Sequence, residues 1–280
     1  MSSPPIVLTT DFGTSNPYAG VMKGVILGLN PDANIVDLTH QIQPQNILQG
    51  AFVLGASHRY FPQGAIHVAV VDPGVGTGRR AILVDTPTAR FLAPDNGLLS
   101  YVLREYLDDP PGEPGRVRLP ASVTAHQLTE PMYWLDPVSP TFHGRDIFAP
   151  VAAHLSLGVA ASGLGPAIDD LVWLPAPRPS RQGDRLTGQV VYADHFGNLV
   201  TNIAAHDLAD SNSVQVEIKG QRITGLSQTF QSPENPGDQP LLALMGSLGY
   251  PEIAVRNGSA AATLGATVGE TVRVTPLPSS

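Results

Sequence analysis

Between residues 174 and 183 the chain reads "LPAPRPSRQG", with three prolines and no periodicity. Proline fixes φ and lacks an N–H, so such a run suits a linker better than a strand or helix. The texture differs on its two sides, and that difference constrains the fold more than any other feature. On the N-terminal side, short apolar runs alternate with longer helical patterns. "PIVLTTD" (5–11), "NIVDLTH" (34–40), "AIHVAVVD" (65–72) and "RAILVD" (80–85) read as strands. "YAGVMKGVILGLNP" (18–31), "NILQGAFVLGASHRYFP" (46–62), "NGLLSYVLREYL" (96–107) and "GRDIFAPVAAHLSLG" (144–158) read as helices. This alternation predicts an α/β domain of Rossmann-like, three-layer type, with a mainly parallel sheet covered on both faces. On the C-terminal side, "LTGQVVYADHFGNLVTNI", "SVQVEIKGQRITG", "LLALMGSLGYPEIAVRN" and "ETVRVTP" are short strands separated by turn residues. They predict a small antiparallel β-barrel with little helix. "QSPENPGDQP" (231–240) reads as a polar loop. The expected division is an α/β domain over 1–173, a linker over 174–183 and a barrel over 184–280.

Composition narrows the partners. A length of 280 residues is ample for one large or two smaller domains. A net charge of −8 argues against nucleic acid and anionic membrane surfaces, both of which favour basic patches. There are no cysteines, so disulfides, thiolate metal sites and a cysteine nucleophile are excluded. That suits a cytoplasmic protein, the expected location. The start, "MSSPPIVLTTDFG", lacks the charged region and apolar length of a signal peptide. No apolar run is long enough to span a bilayer. The eight histidines stand at least nine residues apart and form no ligand motif, so no metal is expected.

The densest local signal is "VDPGVGTGRR" (71–80). Its glycines fall at Gly74, Gly76 and Gly78, whereas a dinucleotide fingerprint needs G-x-G-x-x-G between a strand and a helix. The residues after the loop, "RAILVD", read as a strand, and the Gly-Lys-Ser/Thr of a Walker loop is missing. Two readings remain: a plain turn with solvated arginines, or a loop that folds Arg79 back toward Asp72. The second has a chemical use. Asp72 stands at the carboxyl end of a buried strand, where open α/β sheets bind ligands. An Asp–Arg pair at such a cleft holds and polarises a water.

Four further stretches have two readings each. Asp11 in "TTDFG" is either a turn or cap carboxylate or an acceptor for the vicinal hydroxyls of a ribose. In "TFHGRDIFAP" (141–150), His143 is either a surface histidine at a capped helix end or a proton carrier facing a cleft. "DHFGNLVTNI" (194–203) is either a β-turn with Phe196 packed beneath it or a turn offering the Asn198 amide to a base or amino acid. "GSLGYPEIAVRNGSAA" (246–261) carries Ser247, Tyr250 and Glu252 in a run that otherwise reads as loop and edge strand.

In order, these stretches resemble one family over nearly the whole chain: the S-adenosyl-L-methionine (SAM) hydroxide adenosyltransferases, SAM hydrolases related to fluorinases and chlorinases. The resemblance rests on "TTDFG", "PYAGVMKGVI", "DLTHQIQPQNILQGAFVL", "VDPGVGTGRRAILV", "APDNGLL", "FHGRDIFAPVAAHL", "DHFGNLVTNI" and "SLGYPEIAVRNGSAA". It implies an N-terminal α/β domain, a C-terminal β-barrel and a homotrimer holding SAM between neighbouring subunits. The implied reaction cleaves SAM with water to adenosine and L-methionine, without metal or other cofactor. The resemblance assigns Asp72, Arg79 and His143 to water activation and Asp11 to the ribose. It assigns Asn198, Ser247, Tyr250, Glu252 and the backbone near Val255 to substrate binding, the last four from the adjacent subunit. "LVDTPTARFLAPDNGLL" leaves no room for the insertion that fluorinases carry there, and Gln45 stands where they carry a tryptophan. Asn16 replaces an aspartate common in relatives. A SAM-dependent halogenase and a non-catalytic SAM or adenosine sensor are the alternatives. Asp72, Arg79 and His143 occurring together favour the hydrolase.

Overall fold

The computed structural model describes residues 4–208, 213–230 and 241–277. The stretch expected as a polar loop at 231–240 lies outside the described residues. The chain forms two compact units, Met1–Ala176 and Pro177–Ser280.

The first unit runs through β1 (Ile6–Thr10), α1 (Tyr18–Leu29), β2 (Ile35–Thr39), α2 (Ile47–Ser57), β3 (Ile66–Val70), β4 (Ala81–Asp85), β5 (Arg90–Pro94), α3 (Ser100–Leu103), β6 (Gly115–Arg118), β7 (Thr124–Gln127), α4 (Ala149–Ser156), β8 (Ala167–Ile168) and β9 (Asp170–Trp173). Seven strands form one sheet in the order β2-β1-β3-β5-β4-β7-β8, and β6 pairs with β9 apart from it. β1, β2, β3 and β5 run parallel. β4, β7 and β8 join antiparallel. The sheet is therefore mixed, where the alternation predicted a mainly parallel one. The cause is the β4–β5 connection. Thr86 N donates to Ala89 O at 2.9 Å in a tight turn, and a parallel neighbour needs a crossover of roughly a dozen residues or more.

Strand β3 shows how both faces are covered. Ile66, Val68 and Val70 pack toward Met22 and Ile26 of α1 and Val151 of α4. Ala69 and Val71 pack on the opposite side with Leu54 of α2 and Val102 of α3. This is the two-residue period of a strand buried on both faces. Two expected helices are trimmed. The one at 96–107 is regular only over Ser100–Leu103, because Gly97 turns at φ +95° and accepts the Ser100 N–H through its carbonyl. The one at 144–158 opens with a wide turn over Gly144–Phe148, in which Ala149 N donates to Gly144 O, before the regular helix begins.

After β1 the chain builds β2 on one side, then crosses to place β3 on the other. That reversal is a switch point, and its crevice opens outside the carboxyl ends of β1 and β3.

The second unit contains β10 (Ser180–Gln182), β11 (Arg185–Ala193), β12 (Leu199–Thr201), β13 (Val214–Ile218), β14 (Gln221–Thr224), β15 (Leu241–Met245), β16 (Pro251–Val255), α5 (Ala260–Leu264) and β17 (Thr271–Pro276). Its antiparallel order is β14-β13-β17-β11-β12-β16-β15. Ser227 N donates to Ala243 O at 2.7 Å, drawing the two ends toward each other and nearly closing the barrel. Val190, Leu199, Val216, Ile253 and Val274 fill its core. β10 lies inside the segment expected to be a linker. The prolines stop at Pro179, so the following N–H groups are free to pair with β11. No described helix is long and apolar enough to cross a membrane.

Candidate active site

The glycine loop leaves β3 and must cross over the end of β5 to reach β4, its antiparallel partner. It does so by tight turns: Val75 N donates to Asp72 O, and Thr77 N to Gly74 O at 3.1 Å. Of its glycines only Gly76 is left-handed, at φ +76°. A Cβ there would also lie 2.2 Å from Pro140 O. Gly76 is thus the residue that lets the loop press against the segment carrying His143.

The turn folds Arg79 back onto Asp72. Arg79 Nε lies 3.1 and 3.0 Å from the two Asp72 carboxylate oxygens, and Nη2 makes a further short bond to Oδ2. Both side chains are nearly buried, at 10% and 5% exposure, so the pair is shielded from solvent screening. The guanidinium also lies 5.6 Å from the centre of the Phe148 ring. Arg79 Nη2 reaches His143 Nδ1 at 2.8 Å. Arginine only donates, so Nδ1 must accept, and the ring is neutral with its proton on Nε2. Burial first, and then the Arg79 charge, hold the His143 pKa below the ordinary 6.5.

Local structure fixes His143. Buried Asp146 accepts from Ser139 N at 2.8 Å and from Arg145 Nε and Nη2 at 2.6 and 3.0 Å. Arg145 and Asp146 thus tie the loop before His143 to the helix after it.

Asp11 directly follows β1. It lines a cleft of about 220 Å³ together with Asp72, Val75, Phe142 and His143. One of its oxygens accepts from Gln45 N at 2.8 Å, with Gln45 held left-handed at φ +65°. The other oxygen remains for a hydroxyl donor.

Asn198, Ser247, Glu252 and Val255 line a separate, mostly apolar cavity of about 860 Å³ in the barrel unit, with Asp194, Phe196 and Phe230. Tyr250, expected with them, is not in the lining. Asn198 donates from its backbone N and its Nδ2 to the two Asp194 oxygens, each at 2.8 Å. That fixes the amide orientation and leaves Oδ1 as an acceptor. Phe196 does not pack beneath this turn; it is 74% exposed and lines the cavity. Glu252 is buried, and burial followed by the Asp194 charge pushes its pKa up. Gly246 accommodates it, since a Cβ there would lie 1.9 Å from Glu252 Oε1.

Sequence reasoning missed Asp194, whose carboxylate orients Asn198, and the backbone role of Gln45. The first was visible four residues before Asn198. The second has no side-chain signature. Among the described residues no group of three or more His, Cys, Asp or Glu could hold a metal ion.

A switch-point cleft with an Asp–Arg–His chain, joined to a barrel with its own cavity, defines the class. Residues 6–165 match the SAM hydroxide adenosyltransferase N-terminal domain, and residues 188–273 match the C-terminal domain of that family. The chain belongs to this enzyme family. It is 38% identical over 276 residues to the (R)-S-adenosyl-L-methionine hydrolase of Salinispora arenicola, covering 98% of each chain. It is 37% identical to the (R)-S-adenosyl-L-methionine hydrolase of Thermus thermophilus, over 96% of this chain and 99% of the relative. A fluorinase of Actinoplanes is more distant, at 28% identity over 74% of each chain. A conserved Thermotoga maritima protein of known crystal structure superposes with a TM-score of 0.83 at 32% identity, over 96% of this chain and 99% of that one.

Proposed function

We propose that this chain hydrolyses S-adenosyl-L-methionine, water attacking C5′ and giving adenosine, L-methionine and a proton. The observation that carries this reading is the Asp72–Arg79–His143 chain beside Asp11 at the switch-point cleft. Similarity to named hydrolases along the full length supports it.

The chemistry asks little of an acid. The sulfonium leaves as a neutral thioether, so no proton is needed at sulfur, and charge is dispersed rather than built up. No metal or other cofactor enters the scheme. What is needed is a water held in line with the C5′–S bond, and alignment of this kind contributes roughly 7–11 kcal/mol in favourable cases. Asp72 accepts a hydrogen bond from that water. Arg79 holds Asp72 in place and favours the hydroxide form by its charge. His143, neutral and accepting from Arg79, presents Nε2–H as a donor at the cleft. Asp11 takes the ribose hydroxyls through its free oxygen.

Asn198, Ser247, Tyr250, Glu252 and the Val255 backbone bind substrate in this reading, the last four reaching the site from a neighbouring copy in a cytoplasmic homotrimer. The family resemblance supports that assignment; because Asn198 shares one cavity with Ser247, Glu252 and Val255, it reaches the substrate from the same copy as they do. The substrate is the (R)-sulfonium epimer, following the relatives' names.

The test is purified protein with each SAM epimer, products resolved by liquid chromatography. Adenosine and methionine in equal amounts from the (R)-epimer are expected. Their absence refutes the reading. A comparable rate of 5′-halo-5′-deoxyadenosine formation in chloride or fluoride would replace it with a halogenase.

A further inference from the structure

The loop that carries Asp72 and Arg79 has two ends, and consecutive residues of another strand end hold both. Because the loop crosses over β5, the residues just beyond that strand, Asp95 and Asn96, lie beneath it. Asn96 Nδ2 donates to Val71 O at 2.8 Å, on the residue immediately before Asp72. Its Oδ1 accepts from Leu98 N at 3.1 Å, which fixes which way the amide faces. Asp95 takes the other end. Its backbone N donates to Arg80 O at 2.9 Å, and its Oδ2 accepts from Arg80 Nε and Nη2 at 2.8 and 2.7 Å. Arg80 is the residue immediately after Arg79.

The Asp95 side chain is 3% exposed, so little solvent competes for it. Its other oxygen accepts from Val172 N at 2.7 Å, and Asp170 and Arg116 complete the charge balance around Arg80. Neighbouring arginines thus have opposite tasks. Arg79 holds Asp72 and His143 of the cleft lining, while Arg80 anchors the loop.

We infer that Asp95 and Asn96 are positioning residues, which fix the distance and angle between Asp72 and Arg79 by clamping the loop at Val71 and at Arg80. The functional consequence rests on the proposed hydrolysis; the clamp itself does not. A catalytic pair held by its two loop ends keeps its geometry without substrate, and misplacement of about 1 Å costs on the order of 100-fold in rate.

Asn96→Asp keeps the shape and the Leu98 contact but sets an oxygen against Val71 O. Asp95→Asn keeps the Val172 contact and removes the nearer of the two carboxylates paired with Arg80, leaving Asp170. Each full-length variant is assayed for kcat and KM on SAM. The His143 ring is titrated by NMR without substrate, where Arg79, Asp72 and Asp146 are the charges that act on it. The expected result is a kcat loss of roughly 10–100-fold with KM within about 3-fold. Alongside it, the His143 pKa rises toward 6.5 as Arg79 draws away. A folded variant with wild-type kcat and an unmoved His143 titration overturns the inference. So does a kcat loss without any change in that titration, which would mark a merely structural role. If Asp95→Asn does not fold, Asn96→Asp decides alone. If the wild type shows no hydrolysis, the functional reading fails while the substrate-free titration still tests the clamp.

Discussion

Two regions along β3 treat a shielded histidine in opposite ways. At the carboxyl end, His143 is tied through Nδ1 to Arg79 and, through Arg79, to Asp72 just past the strand. Within the strand, His67 is fully buried, stacked on Phe91 at 5.1 Å and edge-on to Phe61 and His58. Neither of its ring nitrogens has a hydrogen-bond partner among the described residues. Burial is the largest cause lowering the pKa of both. In both, burial favours the neutral ring. A fixed tautomer beside a paired carboxylate in an open cleft makes one usable for chemistry.

The largest difference should appear on mutation. Asp72→Asn keeps the shape and loses the charge that holds Arg79. Turnover is expected to fall by about 10²–10⁴, the range for removing a positioned proton acceptor. His67→Phe should leave adenosine release within about 2-fold, since surface and core changes away from a site act on stability. Equal losses in the two variants would erase the distinction. Gly76→Ala comes next. It must enter a left-handed conformation against Pro140 O, at a stability cost of roughly 1–3 kcal/mol, and turnover should drop because the loop swings away from His143. Urea unfolding alongside the activity assay separates the two effects.

A smaller effect is expected from pH. Protonating His143 at Nδ1 would set two cations against each other across the 2.8 Å contact with Arg79. The acid limb of kcat/KM should therefore have its midpoint below 6.5, in the direction of the lowered pKa. A midpoint above 6.5, or an unchanged limb in His143→Gln, would remove His143 from the reaction.

Much of this contrast was legible in the sequence, and the illegible part has physical causes. Strand runs ending on Asp11 and Asp72 placed both carboxylates at one sheet edge, because a parallel αβ alternation forces that polarity. The glycine spacing signalled a turn, yet only the backbone shows that Gly76 alone needs its freedom. Arg79 and Arg80 look equivalent side by side; their opposite directions depend on Asp95, fifteen residues beyond Arg80 and beside it at the end of the neighbouring strand. The mixed sheet was hidden because "LVDTPTARFLAP" shows one strand pattern clearly and masks the hairpin partner after it. His67 gave no signal, since a histidine inside "AIHVAVVD" reads the same whether it faces core or solvent.

The last and smallest effect concerns stability. The His67 pKa is about 3 in the folded chain against 6.5 when exposed. Between those values the unfolded chain binds the proton more tightly. Stability from this group is therefore complete above 6.5 and is lost as pH falls from 6.5 toward 3, with a limiting slope of about 1.4 kcal/mol per pH unit. Most carboxylates titrate lower, and Asp95, pushed up to about 6 by burial, is common to both proteins, so the window between about pH 5 and 6.5 is read as the difference between them. Across it, wild type should lose roughly 1–2 kcal/mol more than His67→Phe, which keeps an aromatic ring against Phe91 but cannot be protonated. Parallel urea melts of the two proteins measure the difference directly. If the two curves fall together, His67 is not the acid-sensitive group, and His143 and His154, whose pKa values burial also lowers, are the next histidines to replace.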